Sequence, residues 1–529
     1  MNSSRLRSLL PALVLTAVFS WSLWQVATTR RAVVAPGKTV LRVGHWLLHA
    51  GMRESFAQAI SDYEKLHPDV TVVQLPVPIR TYSSWLRTRL IGANAPDLTG
   101  MLTVNEEVAG RHFLALDAYL NQPNPYNAGT PLEGVPWRDT FVDGLDAVRG
   151  LFAPVSGEIY GVNLQINTLR LYFNRKLLRA VTGSDSPPAT FAELQALGGR
   201  VADYNARTGA RLVPIASCGP YATFLFNTLV PSQTQRLLVE SNPARNLTFS
   251  QHELAAAFLK GELSYSTPAL RSGLELMRDV TALMTPGFDQ LQRDDALFAY
   301  LQQQAVMLYA GSWDYGVLVR DGPFPTGLVT LPLPGPEHPG YGRFVLGPAS
   351  ESAGSPEATF GIARTSPHPE LALDFLQFLS SRTVAENFSR QSHRIASIVG
   401  TPPPPDAPGL APVLGGEVGG FLLDFTGFGG GNTLNLFRRN LHLALGPKGD
   451  ADNFIKALEA RLPETLRQDM EQHLDSQQRM ICRLDAQLAF ELTRPPAAAG
   501  SDPSEEWLVL AEAQSLRQHG YLPLRKEMP

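Results

Sequence analysis

The feature that most constrains this chain is a strand, helix and strand in immediate succession. Val40-Leu41-Arg42-Val43-Gly44-His45-Trp46 reads as a strand, and Met52 to Leu66 follows with Phe56, Ile60, Tyr63 and Leu66 at helical spacing. His67-Pro68-Asp69 then turns into the β-branched run Val70-Thr71-Val72-Val73-Gln74-Leu75. A helix between two such strands makes a βαβ unit, so the fold class is α/β with a parallel sheet. Tyr82 to Ile91 is a further helical stretch, and Gly92 to Asp97 closes it before the short apolar run Leu98 to Leu102.

The alternation persists through Ile159 to Asn174, a helix beginning near Thr190 and a strand at Arg211 to Ala216. The pattern then predicts a helical stretch ending near Tyr309 and leading into Ala310-Gly311-Ser312-Trp313. Residues 320–358 are rich in Pro and Gly and read as an irregular connection; Pro369 to Ser380 reads as a helix. Thr401 to Gly431 is a second breaker zone. Asp450 to Arg461 and Glu464 to Leu492 read as helices separated at Pro463. Met470, Leu474, Ile481, Leu484 and Leu488 form a stripe that packs on its own domain or on a partner. Pro495 to Glu505 reads as a linker, and Trp507 to Gly520 as a last short helix.

At 529 residues the chain has room for several domains, and 44% hydrophobic against 18% charged residues excludes disorder along its whole length. A net charge of −4 removes the electrostatic footprint of a nucleic-acid binder. Cys218 and Cys482 are too few for a disulfide framework or a cysteine-rich metal site, although one long-range bridge stays open. Arg5 and Arg7 precede an uncharged run from Ser8 to Thr29, 22 residues long, enough to span a bilayer as a helix. A cleaved signal peptide and an uncleaved anchor both fit; length, and Trp21 and Trp24 near the outer end, favour the anchor. Residues 1–31 are thus a signal anchor or signal peptide, and the rest of the chain is expected outside the cytoplasm.

Catalytic signatures are absent: there is no G-x-S-x-G, H-E-x-x-H, C-x-x-C or G-x-G-x-x-G opening a helix. Gly37-Lys38-Thr39 lacks the first glycine of a phosphate-binding loop. His45 and His49 have no evident third ligand, and the glycines 427 to 431 read as a flexible turn. Glu106-Glu107 and Glu505-Glu506 read as solvated surface charge. No catalytic residue, metal or cofactor is expected. Aromatic and amide residues do stand just after strands or in loops, where open α/β folds place their binding crevice: Trp46, Asn105, Asn167, Tyr221 and Trp313. Sugars offer flat C–H faces and many hydroxyls, which such platforms and planar amides match.

The ordered segments resemble the extracellular solute-binding proteins of family 1, the maltose- and oligosaccharide-type receptors of ABC importers. Leu41 to Trp46 with His67-Pro68-Asp69-Val70 resembles the family's opening strand and turn, and Gly92 to Leu98 its "G-x-x-x-PD" segment. Gly157-Glu158-Ile159-Tyr160-Gly161 and Leu171-Tyr172-Phe173-Asn174-Arg175-Lys176-Leu177 resemble "GK-x-YG … YYNK-x-L". Pro187 to Leu194 resembles "PPKTWDEL", Gln304 to Trp313 "AAM…GSW", and Pro369 to Leu376 "PEAAWEFL". Asn163 replaces the usual proline after "YG", and the chain runs past the family's usual end near residue 475.

The resemblance implies a two-lobed periplasmic-binding-protein fold with crossing hinge strands near Val162–Thr168 and Ala358–Ala363. Residues 40–163 and 363–400 would form lobe 1, residues 167–358 and 401–475 lobe 2, and residues 476–529 a C-terminal helical extension. It further implies ligand contacts at Trp46, His49, Thr103, Asn105, Asn167, Tyr221 and Trp313. Trp313 would be the stacking platform, with Asp314 and Tyr315 adding polar reach beside it and the fold indifferent to its removal. The function implied is that of a monomeric, membrane-tethered carrier that delivers a carbohydrate to the transmembrane subunits of an ABC importer. A membrane-anchored glycan-active enzyme and a sensory ligand-binding subunit are the alternatives.

Overall fold

The computed structural model describes residues 20–21, 37–48, 51–154, 156–241, 251–352, 355–425, 431–493 and scattered positions between 511 and 526. No helix among these residues is long and apolar enough to cross a membrane. The run Ser8–Thr29 lies outside them apart from Ser20 and Trp21, as do His49, the glycines 427 to 430 and the expected linker at 495–505.

The strands are β1 (Thr39–His45), β2 (Val70–Pro76), β3 (Leu98–Gly100), β4 (Val162–Ile166), β5 (Leu169–Asn174), β6 (Val213–Ala216), β7 (Ala305–Gly311), β8 (Thr326–Val329), β9 (Pro356–Ile362) and β10 (Ile395–Ala396). They form two sheets, ordered β10-β4-β9-β3-β1-β2 and β6-β7-β5-β8. Each sheet carries its own core: Phe56, Trp137, Phe360 and Phe375 against the first, Tyr172, Phe226, Met307 and Phe437 against the second. These are two α/β lobes.

Local signals explain most of the first lobe. Helix Met52–Leu66 buries Phe56, Ile60 and Tyr63 as its spacing requires, while Leu66 stays exposed at its end. Tyr63 donates 2.5 Å to Asp374 on helix Pro369–Leu379, which begins with Pro at its first turn. In the second lobe, Thr190 likewise caps helix Phe191–Thr208 by accepting from Glu193 N.

Two expectations are corrected, and the cysteine bridge left open is not formed. Ala305–Gly311 is a strand and not the end of a helix, because β7 lies between β6 and β5 and every residue from Ala305 to Gly311 is buried. A run apolar on both faces shows no alternation, so its period cannot separate strand from helix. Glu106 is buried among polar partners, not solvated. Both cysteines are free, Cys218 buried with its thiol pushed up to about 12 by burial, Cys482 exposed. The break expected at Pro463 is present: helix Ala451–Glu459 ends before it, and Pro463 stands in the first turn of helix Leu462–Thr493, whose stripe buries Met470 and leaves Leu474, Ile481, Leu484 and Leu488 half-buried.

The lobes are joined where β4 passes through Asn167 and Thr168 into β5, where the chain re-enters the first sheet at β9, and after β10, whose continuation places Ala407 and Leu410 in the second core. Arg170, wholly buried, ties these passages together. It pairs with both oxygens of Glu351 at 2.8 and 2.9 Å and donates to the carbonyls of Gly409 and Ala411 at 2.8 and 2.7 Å. A buried guanidinium with all these acceptors satisfied costs little and fixes its neighbours in place.

Candidate functional site: the cleft between the lobes

Topology decides which edges face each other. β1 is parallel to β2 and β3, and β9 runs antiparallel to both β3 and β4. β4 is therefore parallel to β3, and the edge through which it leaves at Ile166 is the edge holding the C-terminal ends of β1 and β3. In the second sheet β5 enters at Leu169, β7 opposes it with Gly311 paired to Leu169, and β6 runs parallel to β7. The loops after β6 and β7 thus lie at that same passage. Two sets of strand-end loops flank the crossing, the arrangement in which α/β folds hold ligands.

On the second lobe, three predicted residues come together. Tyr221 lies in the first turn of helix Gly219–Ser232 behind Pro220, and Trp313 in a short turn after β7. The indole Nε1 of Trp313 donates 3.1 Å to the Tyr221 hydroxyl, and the rings stand 6.0 Å apart. Asn167 stands beside them: its Oδ1 accepts from Ser312 Oγ at 3.5 Å and its backbone N–H donates 2.8 Å to Ser355 O.

Phe224 completes a ring cluster that the sequence reading missed. It stands 5.8 Å from Trp313 and 6.1 Å from Tyr221, with 39% of its surface exposed. Its signal was its place three residues after Tyr221, one turn along the same helix face. Trp313 is half-buried and Tyr221 is buried, so Phe224 and Trp313 present the accessible aromatic surface.

Behind the rings lies an anchor. Asp314 is fully buried; one oxygen accepts from the Tyr221 hydroxyl at 2.5 Å, the other from Arg293 Nε at 2.7 Å and from Arg293 Nη2. Burial pushes the Asp314 carboxyl up, opposed by the Arg293 charge and these hydrogen bonds, and burial beside Asp314 raises the Tyr221 phenol. The expected polar reach beside Trp313 is therefore corrected: Asp314 points inward, and Tyr315 stacks on Tyr172 and donates 3.0 Å to Asp406 O. Arg293 lies far back in the chain and carried no local signal.

The first lobe offers less. Trp46 is only 7% exposed, packed 5.1 Å from Tyr82 over Gly100, where a Cβ would meet the indole. Its ring belongs to the core and is not an open platform. Thr103 is exposed, in the left-handed region at φ 57°, and donates 2.7 Å to Ser83 Oγ. Asn105 is exposed but committed as the cap of helix Glu106–His112, accepting from Val108 N at 3.0 Å. Among the described residues no group of three or more His, Cys, Asp or Glu could hold a metal ion. His45 stacks on Phe56 at 4.8 Å, and its Nδ1 accepts from Leu47 N at 3.2 Å. Its Nε2–H then donates 3.1 Å to Gln74, and burial holds its pKa down.

The solved structures similar to this chain share its architecture. Apo RafE from Streptococcus pneumoniae aligns at a TM-score of 0.56 with 16% identity, covering 82% of this chain and 99% of its own. The GacH receptor of Streptomyces glaucescens, solved unliganded and with acarbose, aligns at 0.56 with 14% identity over 81% and 99%. A maltose/maltodextrin-binding domain from Bdellovibrio bacteriovorus aligns at 0.51 with 15% identity over 80% and 100%. At such identities the likeness speaks for the two-lobed fold alone. No curated protein sequence matches the chain. The family model described as "Bacterial extracellular solute-binding protein" matches residues 58–407, well over half of the chain, and this chain belongs to that family.

Proposed function

We propose that the protein captures a carbohydrate between its lobes and hands it to an ABC importer at the outer face of the membrane, held there by the segment Ser8–Thr29. The observation carrying this is the ring cluster at the crossing. Phe224 and Trp313 offer aromatic faces to the C–H surface of a sugar ring, held from behind by the Tyr221 hydroxyl, while Asn167 and Thr103 stand ready for its hydroxyls. Contacts from both lobes would favour the closed state, since a ligand shifts such an equilibrium only by its differential affinity. The sugars bound in structural neighbours, raffinose and maltotriose among them, point the same way.

Calorimetry of the full chain against a panel of oligosaccharides tests the proposal. A sugar at about 100 times its Kd stabilises the fold by about 2.7 kcal/mol, which a melting curve also registers. Silence across the panel, or hydrolysis of any member, would sink it.

A further inference from the structure

Helix Leu462–Thr493 begins in one lobe and runs onto the other. Leu462, Leu466 and Met470 belong to the second core, beside Phe437 and Phe454. About 9 Å further along the axis, at 1.5 Å per residue, Ser476 Oγ donates 2.9 Å to Glu107 and Gln477 Nε2 donates 2.9 Å to Glu106. Both acceptors lie on helix Glu106–His112 of the first lobe.

The C-terminal residues close this contact. Gln514 donates 3.1 Å to the Ile481 carbonyl, which lays the segment back along the helix. Buried Arg517 donates 2.6 Å to the Tyr160 hydroxyl and also binds the Glu158 carboxylate, with Met480 Sδ 3.1 Å from its Nη1. Gly110 makes room: a Cβ there would stand 3.0 Å from Tyr160 Oη and 3.1 Å from Arg517 Nη2. Glu106 also accepts 2.7 Å from Ser156 N.

Such a network of buried carboxylates and one guanidinium is tolerable only while every member is paired. Its pairing here requires the C-terminal segment to sit on the first lobe while its root sits in the second. We infer that helix Leu462–Thr493, with Gln514 and Arg517 set against it, forms an interlobe strap: docked on Glu106–His112 and on Glu158 and Tyr160, these residues hold the lobes at the separation seen here and set how far the cleft opens. Glu106 is the residue after Asn105, which caps the same helix at the cleft edge, so the strap bears on a wall of the candidate site. The inference takes from the proposed function only that the lobes can move relative to each other.

The test measures that motion without any solute. In the full chain with Cys482→Ser, spin labels at Asp139→Cys on the first lobe and Arg200→Cys on the second report the interlobe distance. The parent should give a narrow distribution. Ser476→Ala with Gln477→Ala should lengthen and broaden it, and Arg517→Met should do so further. Arg517→Met leaves buried carboxylates behind and can fail to fold, which its melting curve shows; the Ser476/Gln477 variant then decides alone. Distributions equal to the parent's in a folded variant overturn the strap. Because no sugar is present, failure of every oligosaccharide to bind leaves this result untouched, and a sugar that binds does not rescue a strap whose loss moves nothing.

Discussion

Arg293→Met tests the anchor behind the aromatic rings, and its cost follows from the geometry. Asp314 is wholly buried and takes two guanidinium hydrogen bonds; removing the cation strands the carboxylate. Breaking a buried pair typically costs about 3–5 kcal/mol. The side chain of Arg293 is 28% exposed, so water reaches the pair and the lower end, about 3 kcal/mol, applies. Asp314→Asn should cost less, about 1–2 kcal/mol, since it keeps the shape and one acceptor while Arg293 retains its pairing with Asp294 at 3.1 Å. In Arg293→Met the carboxyl, already raised by burial, rises further. Across the interval between its ordinary value and the raised one the folded state binds more protons than the unfolded state, so the variant gains stability as pH falls. Urea denaturation at several pH values reads both effects: the deficit against the parent should shrink from pH 7.5 to pH 5, and adding Asp314→Asn to Arg293→Met should restore most of the loss. A deficit under about 1 kcal/mol that stays flat with pH would refute the reasoning.

Trp313→Ala should weaken sugar binding about ten- to hundredfold, and because the indole is half-buried it should also cost about 1–2 kcal/mol of stability; an isotherm beside a melt separates the two, and unchanged affinity would return the ring to the core. Gly311→Ala drives a methyl into the same indole and should copy the binding loss, whereas parent-like affinity would mean the ring can shift without consequence. His252 and His473, 4.5 Å apart, are held down by burial to about 3 and about 4. Their unfolded forms take protons first as pH drops through about 6.5, so stability should decline between pH 6.5 and 4 by up to about 1.4 kcal/mol per unit for each, and His473→Gln should flatten that slope in acid titrations followed by circular dichroism. Thiol labelling of the folded protein should consume Cys482 quickly and spare Cys218, while two rapid reactions would contradict the burial of Cys218.

The strand and helix starts were legible where one local signal dominated: β-branched runs at β1 and β2, a threonine cap before Phe191, a proline opening Pro369–Leu379. β7 was not, since burial on both faces erases the period that tells strand from helix. Trp46 and Trp313 looked alike, each an aromatic following an apolar run. What separates them is not local: Gly100, on another strand, admits the ring of Trp46 to the core, while Trp313 keeps an open face beside Phe224.

The strap was the least legible part, because Glu106 meets Gln477 across 371 positions and Glu158 meets Arg517 across 359. No window of sequence joins them, and adjacent glutamates without visible partners read as surface charge. This division has a functional consequence. The residues facing the cleft sit where strand ends and helix caps place them, whereas the spacing of the two lobes depends on contacts made by the last segment of the chain. Substitutions beyond residue 475 can therefore alter how readily the cleft closes while every ring and amide that would touch a solute stays in place.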